Sequence, residues 1–118
     1  MSNLIEIKNL KKEFNISSNN KLLVFENLNL NISRKSIASI IGPSGCGKST
    51  LLNMLGLLDS SFDGEYFFDG VSINKINRKN LSEIRNQKIG FVHQFFHLIP
   101  ELTVIENIIL PALVQKDK

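Results

Sequence analysis

Residues 37–41, Ile-Ala-Ser-Ile-Ile, form an almost wholly apolar run that stops at Gly42. A glycine-rich stretch follows, and then Leu51, Leu52, Leu55 and Leu58 fall at helical spacing after Lys48. No other feature constrains the fold as much. A short apolar run bounded by glycine predicts a strand buried on both faces, as in the parallel sheet of an α/β domain. The leucines predict an amphipathic helix over 48–58. Strand, tight loop and helix in that order make one structural unit.

The loop reads Gly42-Pro43-Ser44-Gly45-Cys46-Gly47-Lys48-Ser49-Thr50 and fits G-x-x-x-x-G-K-[ST], the P-loop pattern. A polyphosphate brings several negative charges to one spot. Backbone N–H groups can cradle it only where the chain wraps closely, and glycine allows that approach. The helix N-terminus adds free N–H groups and its positive dipole end. The Lys48 ammonium can reach the outer phosphates, Ser49 can offer its hydroxyl to Mg²⁺, and Thr50 can offer another to the phosphates. Gly42, Ser44, Gly45, Cys46, Gly47, Lys48, Ser49 and Thr50 are the candidate nucleotide-binding residues.

The remaining elements frame this unit. Residues 4–10 alternate apolar and polar, with Phe14 closing the stretch. Ser17 to Asn20 reads as a turn, and 22–25 and 28–32 as two further strands, giving an antiparallel sheet with one wet face. Residues 65–68 are expected as a strand between two Asp-Gly turns, 78–87 as a polar helix, and 89–93 as a strand. Thr103, with Glu106 three residues on, predicts a capped helix over 103–110.

Composition excludes several classes. In 118 residues, 42% are hydrophobic and 21% charged, an ordinary globular balance suggesting one domain. The net charge of +3 is too small to argue for nucleic acid. The single cysteine, Cys46, allows no intrachain disulfide. No apolar run reaches membrane-spanning length and the first residues lack a signal-peptide pattern, so a cytoplasmic location is expected. No His/Cys/Asp/Glu cluster has metal-ligand spacing. His93 is expected to be half-buried and His97 to lie on the surface.

The loop GPSGCGKST followed by Leu51-Leu52-Asn53 resembles the Walker A segment of ABC-transporter ATPase subunits. Residues 89–100, IGFVHQFFHLIP, are similar to the Q-loop region of that family, and Leu102-Thr103-Val104-Ile105-Glu106-Asn107-Ile108 with Leu110-Pro111 continue the match. The resemblance is to the subgroup serving lipoprotein release, macrolide export and cell division. It covers residues 4 to 113.

The resemblance implies an α/β P-loop NTPase fold: an N-terminal antiparallel β subdomain plus an incomplete RecA-like core, as one partial nucleotide-binding domain over 1–118. It implies ATP and Mg²⁺ as ligands. Phe14 matches the aromatic that stacks on adenine, although a core aromatic at a strand end is the competing reading. Gln94 matches the glutamine that reaches Mg²⁺ and the attacking water. Lys48 and Gln94 are thus the candidate catalytic residues, and Ser49 and Gln94 the candidate Mg²⁺ ligands. Residues 95–109, opened by Phe95 and closed by Ile109, match the surface that meets a transmembrane permease. Packing of Phe95 and Phe96 in the core is the alternative. A second ATPase subunit is the expected dimer partner, at the inner face of the cell membrane.

The same resemblance predicts an LSGGQ signature, a Walker B strand ending in Asp-Glu, and a switch histidine. None stands in this sequence, and Leu81-Ser82-Glu83 lacks the following Gly-Gly. The expectation is an N-terminal half, either a truncated product or a fragment that pairs with a complementary C-terminal half, which hydrolyses ATP weakly or not at all by itself. Two other functions compete. One is a stand-alone P-loop kinase or GTPase: a kinase would want a base and an acceptor pocket, and a GTPase a guanine-reading Asn-Lys-x-Asp, but Asn74-Lys75-Ile76-Asn77 lacks the aspartate. A non-catalytic nucleotide-binding module docked on a permease is the other.

Overall fold

The computed structural model describes residues 2–114. Two compact units emerge, 1–76 and 77–118, each with its own packing.

The first unit is a sheet with one helix. Strands β1 (Asn3–Ser17) and β2 (Asn20–Ser33) form a long antiparallel hairpin. Strands β3 (Asp63–Phe68) and β4 (Val71–Ser72) extend the sheet on the other side of β1, giving the order β2-β1-β3-β4. The two strands expected at 22–25 and 28–32 are thus one. The Glu26-Asn27 break between them is a bulge: Leu28 pairs with Leu10 and Phe25 with Lys12, leaving an extra residue on β2. Asn27 absorbs it at φ 53°, a left-handed conformation that asparagine tolerates.

A second bulge bends β1 at Asn9, φ 49°, whose N–H donates to Asn29 Oδ1 at 3.0 Å. There β3 comes so close that a Cβ on Gly64 would lie 2.5 Å from the Asn9 carbonyl oxygen. Only glycine fits, and its φ of 100° suits no other residue.

Helix α1 (Lys48–Leu55) follows the glycine loop and buries Leu51 and Met54. Its end is earlier than the leucine pattern predicts. Gly56 caps it, and Leu57 turns left-handed at φ 62° and is buried. Together with Ile7, Leu10, Tyr66, Phe68 and Ile73 these side chains form the core. Tyr66 is the largest of the fully buried side chains, and its hydroxyl donates to the Leu55 carbonyl at 2.6 Å, tying β3 to the end of α1. Burial pushes its phenol pKa up, since the phenolate would be poorly solvated there.

Residues 37–41 depart from expectation. They form no strand, and Ile37 and Ile41 are almost wholly exposed, at 100% and 92%. A strand buried on both faces needs neighbours on each side, and every strand pairing among the described residues is antiparallel and made elsewhere.

The second unit holds α2 (Arg78–Lys88) and α3 (Val104–Leu113). Asn77 caps α2 by accepting from the Asn80 N–H, and Leu81 is its buried residue. Helix α3 begins with the expected capping box between Thr103 and Glu106. The backbone and side-chain hydrogen bonds from Thr103 hold the Glu106 carboxyl below its ordinary pKa. Asn107 organises the turn before it, accepting from the Ile99 N–H and donating towards the Ile99, Leu102 and Thr103 carbonyls. Asn86 Nδ2 donates to the Pro111 carbonyl at 2.9 Å, joining α2 to α3. Residues 89–93, expected as a strand, are irregular. His93 is exposed rather than half-buried, with its ring stacked on Phe91 at 5.3 Å and tilted against His97 at 4.4 Å. His97 lies on the surface as expected.

Candidate functional site

The glycine loop is shaped by two left-handed residues, Gly45 at φ 78° and Gly47 at φ 104°. It closes on itself at two places. The Cys46 N–H donates to the Pro43 carbonyl at 3.3 Å, and a Cβ on Gly42 would meet Cys46 Sγ at 2.6 Å. The sheet presses it from outside. A Cβ on Gly47 would lie 2.7 Å from Val24 Cγ1 and 2.9 Å from Phe25 Cζ. Val24 is itself a bulge residue: Phe25 pairs with Lys12 and Leu23 with Glu13, so Val24 has no partner position on β1. The hairpin therefore sets where the loop turns into α1.

Helix α1 starts with no side-chain cap, and Gly47 is its N-cap residue. The N–H groups of its first turn have no carbonyl behind them within the helix. Lys48 Nζ folds back over the loop, donating to the Gly42 carbonyl at 2.5 Å and the Pro43 carbonyl at 2.8 Å, with Cys46 Sγ 3.9 Å away. The ammonium thus sits against the two carbonyls that open the loop. Ser49 is exposed and Thr50 half-buried in that first turn. A glycine loop turned by two left-handed residues, a helix start, one ammonium and one accessible hydroxyl suit a polyphosphate with Mg²⁺.

Phe14 lies near the end of β1, paired with Leu22, two positions beyond the Lys12–Phe25 pair. The residue is 40% exposed, so it is not a core aromatic. Beneath it is a residue that no sequence signal singled out. Lys12 is charged yet only 3% exposed. Its Nζ donates to Asp59 Oδ2 at 2.7 Å and to the Ser61 carbonyl at 2.6 Å, and lies 4.6 Å from the Phe14 ring centroid. Asp59 Oδ1 accepts from the Ser61 N–H at 2.9 Å, and the Asp59 N–H donates to the Asn53 carbonyl of α1. A lysine in a period-2 pattern reads as a solvated residue, so only the tertiary partners reveal it.

Gln94 belongs to the second unit, in the irregular segment after α2, and is exposed. Phe95 and Phe96 are exposed too, at 71% and 90%, and so are not packed in the core. Beside them residues 98–108 enclose an apolar cleft of about 290 Å³, lined by Leu98, Ile99, Pro100, Leu102, Val104 and Ile108 among others. Among the described residues no group of three His, Cys, Asp or Glu side chains could hold a metal, and no helix is long and apolar enough to cross a membrane.

A glycine loop at a helix start, pressed by an antiparallel sheet that bears an exposed aromatic, defines a P-loop nucleotide-binding protein. Comparison makes the class specific: residues 25–118 match the ABC transporter family, and the chain belongs to it. It is 43% identical over 110 residues to an uncharacterized ABC transporter ATP-binding protein of Methanocaldococcus jannaschii, covering 93% of this chain and 46% of that protein. It is 42% identical over 113 residues to the lipoprotein-releasing system ATP-binding protein LolD of Aquifex aeolicus, covering 96% of this chain and 48% of LolD. It is 42% identical over 111 residues to the macrolide export ATP-binding/permease protein MacB of Mannheimia succiniciproducens, covering 94% of this chain and 17% of MacB.

Solved structures agree. The dimeric structure of a bacterial ABC transporter cassette superposes with a TM-score of 0.87 at 41% identity, over 97% of this chain and 49% of that one. A dimeric post-hydrolysis cassette bound to ADP and Pi gives 0.84 at 42% identity, over 92% and 47%. The chain spans about half the length of these ATP-binding relatives.

Proposed function

We propose that this chain is the nucleotide-binding N-terminal part of an ABC transporter ATPase subunit and that it binds Mg-ATP in the loop of residues 42–50. The placement of Lys48 carries this reading. Its ammonium lies across two loop carbonyls at the start of α1, where a γ-phosphate would replace those carbonyls as its partner. Ser49 would hold the Mg²⁺, which when bound neutralises charge building on the phosphate oxygens. Phe14 would stack on the adenine. Gln94 would contact the metal and the attacking water.

The chemistry the residues perform is binding and orientation. Gly42, Gly45 and Gly47 let backbone N–H groups approach the phosphates. Lys48 neutralises them. Calorimetric titration with Mg-ATP tests the site. Micromolar binding that falls at least about tenfold in Lys48→Ala is expected, an effect typical of a hydrogen bond to a charged group. Equal affinity in both proteins would overturn the assignment.

The apolar cleft beside Phe95 and Phe96 supports a second element of the reading, docking of a transmembrane permease at residues 95–109 on the inner face of the membrane. Exposed aromatics beside an apolar groove suit an amphipathic helix. Phe96→Asp should abolish co-purification with the permease and leave Mg-ATP binding intact. Retained docking would place the contact elsewhere. A second ATPase subunit completes the assembly in this reading, as in the dimeric cassettes the chain resembles.

A further inference from the structure

Lys12 is the one buried charged residue of the core among the described residues, and a buried ammonium needs a reason. Its ammonium has three partners: Asp59 Oδ2 at 2.7 Å, the Ser61 carbonyl at 2.6 Å, and the Phe14 ring with its centroid at 4.6 Å. The carboxylate is fixed in turn, since Asp59 Oδ1 accepts from the Ser61 N–H and the Asp59 N–H donates to the Asn53 carbonyl. The lysine therefore clamps β1 to the chain leaving α1, the helix whose other end begins at the phosphate loop. Hydrophobic residues of similar volume would fill this space at lower desolvation cost.

The ring contact suggests what the charge is for. A cation against one face of a phenyl ring draws π density towards itself. It also occupies that side of the ring, while Phe14 as a whole keeps 40% of its surface exposed for another partner. A phenyl ring whose outer face has been made less electron-rich stacks better on an electron-rich purine, and it is held in one orientation while doing so. Phe14 has no hydroxyl with which to fix its own orientation.

We infer that Lys12 is a positioning residue for the nucleotide base: held by Asp59 and the Ser61 carbonyl, it orients and polarises Phe14 for stacking on adenine, and couples that ring to the end of the P-loop helix. This rests on the proposal that Phe14 stacks on the base.

The test compares two probes, Mg-ATP and Mg-tripolyphosphate, which carries the phosphates without a base. Their affinities are measured for the wild-type chain and for Phe14→Ala, Lys12→Met, Lys12→Arg and the double variant Lys12→Met with Phe14→Ala. Lys12→Met should weaken ATP about three- to tenfold, the range of a desolvated cation–π contact, and leave tripolyphosphate unchanged. It should have no further effect once Phe14 is alanine, and Lys12→Arg should retain most of the affinity.

The failures are distinguishable. If Phe14→Ala leaves ATP binding unchanged, base stacking by Phe14 falls and the lysine's role with it. If Phe14→Ala weakens ATP and Lys12→Met does not, the lysine's role alone falls. Equal weakening of both probes by Lys12→Met would make Lys12 a support of the fold only, which also overturns the inference. Should Lys12→Met fail to fold because Asp59 is left unpaired, the variant Lys12→Met with Asp59→Asn carries the same comparison. NMR of the wild-type chain needs no variant: the Lys12 Hε protons should show a ring-current shift that responds to ATP and not to tripolyphosphate. An unshifted Hε signal overturns the inference.

Discussion

Gly47 shows how one residue can serve the sheet, the loop and the helix together. It is the N-cap of α1, it holds φ 104°, and Val24 and Phe25 leave no room for a methyl group. A side chain there meets strain in the backbone and a clash with the hairpin. Gly47→Ala should cost about 2–5 kcal/mol, combining left-handed strain with overpacking. Thermal unfolding should report that loss, and Mg-ATP binding should fall with it. Gly45 makes the contrast: its φ of 78° is also left-handed, but no atom stands within 4 Å of its would-be Cβ. Gly45→Ala should therefore be the milder change. A loss in Gly47→Ala no larger than that in Gly45→Ala would remove Val24 and Phe25 from the explanation.

At the scale of elements, the hairpin and the last helix hold by different means. The hairpin owes its shape to bulges at Asn9, Val24 and Asn27, which curve β1 and β2 and bring Val24 to the loop. Helix α3 has no buried residue of its own, so its start depends on local hydrogen bonds. Thr103→Ala should destabilise it by about 1 kcal/mol, the usual worth of an N-cap. Glu106 adds a pH dependence of definite sign. Its folded pKa lies below the ordinary carboxylate value, so its contribution is present above that value and lost as pH falls through the folded pKa. Helicity followed by circular dichroism should decline on acidification, and Glu106→Ala should flatten that decline. An unchanged acid profile would mean the carboxylate does not hold the cap in solution.

Across the whole molecule, the apolar surface is the unusual property. Ile37, Ile41, Phe96 and Val92 are each at least nine-tenths exposed. Such surface favours association. The 118-residue chain should self-associate with rising concentration in analytical ultracentrifugation. Replacing Ile37 and Ile41 by serine should reduce this while leaving Mg-ATP binding in place. A monodisperse wild-type chain across the concentration range would contradict the expectation.

Much of this was legible in the residues. The phosphate loop, the helix after it and the capping box at Thr103 are local, and each depends on chemistry within a few positions: glycine's freedom, a free helix start, a hydroxyl three residues from a carboxylate. Alternation revealed the strands, although the bulge at Asn27 looked like a break, because a left-handed asparagine reads as a turn until the pairing on each side is known. The apolar run at 37–41 misled for the opposite reason. Its pattern reports a strand's need for neighbours, and whether neighbours exist is a tertiary fact. Lys12 was silent for the same reason: its partners lie 47 and 49 positions away in Asp59 and Ser61. Sequence alone determined the loop's chemistry, because backbone geometry there follows from adjacent residues. Only the tertiary structure decided which charge is buried, which aromatic stays exposed and which apolar residues remain uncovered, because those depend on groups that folding brings together.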